Sequence, residues 1–164
     1  MFTTCKPLIL ASASPRRQQF LADLSLTFTI LVADIDETPL AGEKPAAFAC
    51  RMSQEKAEAI AQQYPASWVI GADTVVTLEG RILGKPDSAG HALEMLRCLQ
   101  GKKHEVITGV TLRCIEERCM ENLSKRTEVR FAQCSDAILS AYIQTKEPLD
   151  KAGAYGIQGK GGFL

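Results

Sequence analysis

The first pattern along the chain is an apolar run, Leu8 to Ala11, giving way to the small residues Ser12, Ala13 and Ser14 and then to Pro15. The run predicts a buried strand. Pro15 suits the first position of a helix with Ser14 as its N-cap, and Phe20, Leu21 and Leu24 give that helix one apolar face. Residues 26–33 alternate and are rich in β-branched side chains, which predicts a strand. Residues 45–63 predict the clearest helix, opened by Pro45 and carrying Phe48, Ala49, Met52, Ala59 and Ile60 on one stripe. With successive residues about 100° apart, Lys56 falls inside that stripe. A lysine there either snorkels to solvent or points into a polar pocket.

Residues 68–78 are nearly continuous in apolar character, as expected of a central strand, with Asp73 in the middle. Glu79-Gly80 reads as a turn and residues 81–83 as a returning strand. Asp87 is expected to cap a helix faced by Ala89, Leu93, Leu96 and Leu99 or Gln100, with Gly101 stopping it. Residues 104–115 and 126–132 predict long strands, joined through a polar connection around Glu116 to Lys125. Ser135 caps a last helix carrying Ile138, Leu139, Tyr142 and Ile143. The closing segment has five glycines in the ten residues from Gly153 to Gly162. Such a stretch admits close backbone approach to a ligand. Tyr155, Ile157, Phe163 and Leu164 are too apolar for a solvated tail, and Phe163-Leu164 reads as the start of a strand.

Composition narrows the classes. The chain has 164 residues, 46% hydrophobic and 23% charged, which is ordinary for a globular domain with a sizeable core. The formal net charge is zero and aromatic residues make up 6%, so no basic field or aromatic-interleaved stripe marks a nucleic-acid binder. Any anion site must be local. No apolar run is long enough to span a membrane, and the N-terminus lacks the apolar region of a signal peptide. The six cysteines form no C-x-x-C pair, and the two histidines are His91 and His104. Free thiols in a reducing, cytoplasmic setting fit this better than zinc.

Several residues then stand out for their chemistry. Arg16 and Arg17 occupy the first helical turn, where the partial positive charge of the helix disfavours cations. A phosphate held by backbone N–H groups and a guanidinium fork accounts for them; so do two solvated arginines. Asp34, Asp36 and Glu37 are three carboxylates in four residues. They form either a solvated loop or donors for a hard cation. Asp73, inside an apolar strand, requires a partner such as a metal or a lysine, or backbone hydrogen bonds in a bend after Gly71. Lys85, in Gly84-Lys-Pro86, suits phosphate as a point charge. Gln158 both donates and accepts hydrogen bonds. Arg16, Arg17, Lys56 and Lys85 set against Glu37 and Asp73 suit a polyphosphate with a divalent metal. Neither a Walker A motif nor G-x-G-x-x-G is present. The residues by themselves reach as far as a phosphate-ester or nucleotide enzyme.

Five blocks carry a resemblance: Ser12-Ala-Ser-Pro-Arg-Arg17, Arg51-Met-Ser-Gln-Glu-Lys-Ala57, Gly71-Ala-Asp-Thr-Val-Val76, Gly84-Lys-Pro86 and Asp150-Lys-Ala-Gly-Ala-Tyr-Gly-Ile-Gln-Gly159. In this order, over nearly the whole chain, they resemble the Maf family of nucleoside triphosphate pyrophosphatases. The resemblance implies an α/β fold of the Maf/inosine triphosphatase-like kind, a curved mixed β-sheet flanked by helices with a cleft between two lobes. It implies hydrolysis of a nucleoside triphosphate to the monophosphate and pyrophosphate with a divalent metal cation, Mg²⁺ or Mn²⁺. The wording of the blocks is similar to the branch acting on dTTP and UTP, with other or modified pyrimidine nucleotides in view. It lacks the tryptophan after the proline and the glutamine after the aspartate of the 7-methyl-GTP branch.

By position, the family's functional residues fall on Ser12, Arg16, Arg17, Glu37, Lys56, Asp73, Lys85 and Gln158. The expected roles are Asp73, Glu37, Lys85 and Gln158 in catalysis, Ser12, Arg16, Arg17 and Lys56 in substrate binding, and Glu37 and Asp73 on the metal. Members are often dimers. Residues 1–164 are expected to form a single domain of this type without the family's closing C-terminal segment. Two other functions remain open at this point: a non-catalytic nucleotide-sensing regulator linked to cell division, and a phosphatase acting on small phosphomonoesters.

Overall fold

A computed structural model describes residues 4–164 of the chain. The apolar run forms strand β1 (Leu8–Ala11), buried along its whole length. Helix α1 (Pro15–Asp23) begins at the predicted proline. Then follow β2 (Thr29–Ile30), α2 (Pro45–Ala61), β3 (Trp68–Leu78), β4 (Arg81–Leu83), α3 (Ala89–Leu99), β5 (Lys103–Cys114), β6 (Cys119–Arg130) and α4 (Asp136–Gln144). Three single-turn 3-10 segments close the chain, Glu147–Asp150, Ala152–Ala154 and Lys160–Phe163. The strands make one mixed sheet in the order β2-β1-β3-β5-β6, with β4 paired to β3. Strand β1 runs parallel to both β2 and β3, and β4 runs antiparallel to β3. This is the α/β class the sequence points to.

The chain divides into two compact units. The first runs to Asp73 and takes in Thr108–Lys125; the second comprises Thr74–Ile107 and Arg126–Leu164. In the first, Ile9, Ala11, Ala57, Ile60, Ala61 and Val69 form the apolar core, built where β1, β3 and α2 meet. The core of the second joins Val76 and Leu78 of β3 with Ala92, Met95, Leu96 and Leu99 of α3, Leu139, Tyr142 and Ile143 of α4, and Phe131, Tyr155 and Leu164.

Several elements differ from the sequence pattern for identifiable reasons. The strand expected over 26–33 pairs with β1 only at Thr29 and Ile30. Helix α2 ends at Ala61 instead of residue 63, and the helical conformation gives way before Pro65, which disfavours helix in the residue preceding it. Ser88, not Asp87, caps α3: its hydroxyl accepts from the backbone N–H of His91. The stretch 119–125 is strand, not connection, so β5 and β6 are joined by a turn over residues 115–118 alone. Almost every residue of β6 is exposed, so neither face carries the apolar alternation by which strands are read. Residues 160–163 form a 3-10 turn where a strand was expected to start.

Candidate active site

The first unit builds a charged cluster just past the carboxyl end of β1, where its parallel pairing with β3 stops. Ala11 of β1 lies in register with Gly71 of β3, which sets Ser12 level with Ala72 and one step from Asp73. In open α/β sheets this end of the strands is where ligands bind. Gly71 makes the placement feasible. A Cβ there would lie 2.1 Å from the carbonyl oxygen of Ser53 and 2.9 Å from the Cβ of Ala57, so β3 and α2 touch without a layer of side chains between them. Side chains alternate along a strand, so Asp73 projects to the same side as Gly71, toward α2. The residue of α2 waiting there is Lys56.

The Lys56 ammonium lies 2.7 Å from Oδ1 of Asp73 and 3.0 Å from Oε1 of Glu37. The Lys56 and Asp73 side chains are 12% and 13% exposed, so water screens the pair weakly. Glu37 is the open member at 56%. Lys56 therefore points into a polar site and does not snorkel. Arg17 comes in from α1. Its Nη1 donates to the Ser12 hydroxyl at 3.0 Å and to the carbonyl of Ala72 at 2.7 Å, and the same hydroxyl accepts from the N–H of Ser14 at 3.3 Å. Burial lowers the Arg17 pKa from its ordinary value against the opposing pull of Asp73 and Glu37; a guanidinium stays charged regardless. Arg16, one residue earlier, is exposed. Ser12, Arg17, Glu37, Lys56 and Asp73 are thus brought together, with Arg16 on the adjoining open turn.

Two residues outside the sequence-derived set support this cluster. Arg51 grips Glu43 with both ends of its fork, Nε to Oε1 and Nη2 to Oε2, each at 2.7 Å. Its Nη2 also donates to the carbonyl of Thr38 at 3.1 Å. Five residues before Lys56 on α2, Arg51 therefore ties down the loop that carries Glu37. The guanidinium holds the Glu43 carboxyl down to about 2. The signal available in the sequence was Arg51 opening the block that ends at Ala57. Glu43 gave none, since an acid before Pro45 reads as an ordinary helix-entry charge.

Lys85 and Gln158 belong to the second unit. Both are exposed, Lys85 after β4 and Gln158 in the glycine-rich segment. The N–H of Gly153 donates to the carbonyl of Gly84 at 3.0 Å, so the glycine-rich segment is tied to the turn bearing Lys85. Gly153 has φ +67° and a Cβ on it would lie 2.9 Å from the Val76 side chain, so only glycine fits. The adjacent Ala154 also has positive φ, +59°, a conformation an alanine holds at a cost.

The donor set bears on a metal. Asp73 and Glu37 direct carboxylate oxygens at one cationic atom, and hard oxygen donors of this type suit Mg²⁺ or Mn²⁺. Among the described residues no group of three or more His, Cys, Asp or Glu gathers in a metal-holding arrangement. One or two carboxylates completed by substrate phosphates is how Mg²⁺ is commonly held, so the pair fits the ion.

Comparisons with known proteins identify the family. The family described as Maf-like protein matches residues 7–164, and the chain belongs to it. It is 52% identical over 157 residues to the dTTP/UTP pyrophosphatase of Myxococcus xanthus (strain DK1622), covering 96% of this chain and 79% of that one. It is 47% identical over 164 residues to the dTTP/UTP pyrophosphatase of Desulfotalea psychrophila (strain LSv54 / DSM 12343), covering all of this chain and 84% of that one. Among solved structures, protein VC0702 from Vibrio cholerae matches 93% of this chain and 89% of its own with a TM-score of 0.44 and 8% identity.

Proposed function

We propose that this protein is a nucleoside triphosphate pyrophosphatase that hydrolyses dTTP and UTP to the monophosphate and pyrophosphate. The observation that carries the reading is the Lys56 ammonium shared by Asp73 and Glu37 just past the carboxyl end of β1. The names of the relatives, at about half identity over nearly the whole chain, support the substrate and the reaction.

The chemistry follows from the side chains. A triphosphate carries concentrated negative charge, and the exposed Arg16 on the first turn of α1 offers it a guanidinium fork beside helix N–H groups. Arg17 shapes the Ser12–Ser14 loop from beneath, through the Ser12 hydroxyl and the Ala72 carbonyl. Lys56 pairs with both carboxylates in the free protein, offsetting one of their two charges, and is drawn to phosphate when substrate enters. Asp73 is the essential base: a carboxylate held on a rigid strand and largely shielded from water, able to take a proton from the attacking water. Lys85 and Gln158 are assigned on chemistry and motif alone, Lys85 to phosphate charge and Gln158 to placing the α-phosphate. Attack on the α-phosphorus expels pyrophosphate. Asp73 and Glu37 are the residues that would hold Mg²⁺ or Mn²⁺, which when bound offsets phosphate charge and makes water more acidic.

No helix among the described residues is long and apolar enough to cross a membrane. A cytoplasmic location is part of the proposal, supported by six cysteines that are all unpaired. So is a homodimer, on the habit of the family.

A product assay tests the function. The protein is incubated with a panel of nucleoside triphosphates, with Mg²⁺ or Mn²⁺ or with chelator, and pyrophosphate is detected separately from orthophosphate. Pyrophosphate from dTTP and UTP, abolished by chelator, is the expected outcome. Orthophosphate as first product would make it a phosphatase. Nucleotide-dependent stabilisation without turnover would make it a sensor.

A further inference from the structure

The four residues Ile157–Lys160 around Gln158 are all exposed, and Ile157 is 60% exposed, so apolar burial does not hold this stretch in place. Its anchors are polar, and they converge on one side chain outside the stretch. Glu147 accepts through Oε2 from the N–H of Lys160 at 2.9 Å and through Oε1 from the N–H of Gly161 at 3.4 Å. Its Oε1 also accepts from the hydroxyl of Tyr142 at 3.0 Å, and that hydroxyl in turn accepts from the N–H of Gly156 at 3.1 Å. Gln158 sits midway between the two tethered points, two residues from Gly156 and two from Lys160. The fit is close on both sides: a Cβ on Gly159 would lie within 2.8 Å of three Glu147 carboxyl atoms, and one on Gly161 would lie 2.5 Å from the Tyr142 hydroxyl. Tyr142 is itself a core residue, 2% exposed, so the relay starts from a fixed point.

We infer that Glu147, with Tyr142 as its relay, is a positioning residue that sets Gln158 for the reaction proposed above, on which this inference rests. A carboxylate is needed because one group must accept three donors, the N–H groups of Lys160 and Gly161 on one flank and the Tyr142 hydroxyl that holds Gly156 on the other, and an ionised acceptor binds N–H more strongly than a neutral one. Burial pushes the Glu147 carboxyl up, but the N–H groups of Lys160 and Gly161 and the Tyr142 hydroxyl outweigh it and hold the group below the ordinary glutamate range. Glu147 is therefore ionised when the tether forms.

The test is a double-mutant cycle on the full chain, with Glu147→Ala, Gln158→Ala, the pair together, and Tyr142→Phe. Pyrophosphate release from dTTP gives kcat/KM, and hydrogen exchange reads the amides of residues 156–161. Glu147→Ala should lower kcat/KM by about 10-fold through lost orientation and speed exchange at Lys160 and Gly161. In the Gln158→Ala background the same change should cost less than about 2-fold, because the two act as one unit. Tyr142→Phe, which keeps the ring in the core, should speed exchange at Gly156 with a smaller loss. Unchanged amide exchange in Glu147→Ala overturns the tether. Equal losses in both backgrounds overturn the action through Gln158 and leave only a general stability effect. Wild-type kcat/KM in Gln158→Ala alone defeats the role given to Gln158, and this inference with it, whereas absent turnover in the unaltered protein defeats the functional reading itself.

Discussion

The two units hold their functional side chains by opposite means. In the first, Asp73 and Lys56 sit inside regular elements, β3 and α2, whose backbones touch at Gly71. Their geometry is fixed before any side chain makes a contact. In the second, Lys85 and Gln158 ride on exposed turns, and what fixes the turn around Gln158 is a set of hydrogen bonds to Glu147 and Tyr142. The first arrangement suits groups that must face one reacting atom without yielding. The second suits groups that close on a ligand, since hydrogen-bonded turns open at lower free energy than packed strands.

Breaking the rigid side should have the largest effects. Asp73→Asn keeps the shape and removes the base, so turnover should fall about 100-fold or more in a protein that still folds, the scale for losing an acid–base group; near-normal pyrophosphate release would remove Asp73 from the mechanism. Gly71→Ala forces a methyl into the α2 backbone and should cost about 3 kcal/mol of stability, at the upper end for overpacking, read from the denaturant midpoint. A stability within error of wild type would mean that β3 and α2 have room to separate.

Changes in the supporting shell should be milder. Arg51→Ala releases the loop carrying Glu37 and should lower kcat/KM on the order of 10-fold through misplacement. Arg51→Lys should not restore it, because an ammonium lacks the fork that spans both Glu43 oxygens; full rescue by lysine would show that charge alone matters there.

The smallest effect concerns pH in the second unit. His104 is 2% exposed, its Nε2 is 2.7 Å from the Tyr155 hydroxyl, and its Nδ1 has no hydrogen-bond partner among the described residues. Burial lowers its pKa in the folded protein, while the unfolded chain protonates near the ordinary value of about 6.5. The unfolded state then binds more protons, so stability is full above that pH and declines as pH falls below it. Between pH 7.5 and 5.5 the melting temperature should drop by roughly 3 °C, and His104→Gln should flatten that slope. Burial also pushes the Tyr155 hydroxyl up to about 12, so it stays neutral throughout this range.

How much of this was legible depends on where the information sits. Leu8–Ala11, Pro15, the α2 stripe and the buried run around Asp73 carry their own periodicity, and those elements fall where the pattern puts them. The position of Lys56 within an apolar stripe already raised the polar-pocket reading now met by Asp73 and Glu37. What escaped was tertiary. Strand β6 is polar on both faces, so hydropathy read its first half as connection. Glu43, Glu147 and Tyr142 act through partners that local spacing does not reveal, since Tyr142 also fits the apolar face of α4. Gly71 enters the sequence reading only through the alternative of a bend around Asp73, and the approach of α2 shows that its missing side chain is what matters.

That same strand β6 has a bearing on the life of the protein in a concentrated solution. It stands at one end of the sheet order and carries Glu121, Lys125, Arg126, Glu128 and Arg130, all exposed. A neighbouring molecule trying to extend the sheet there would have to strip water from charges of both signs. The residues that hid the strand from a hydropathy reading thus serve as a guard against adhesion and fibre growth.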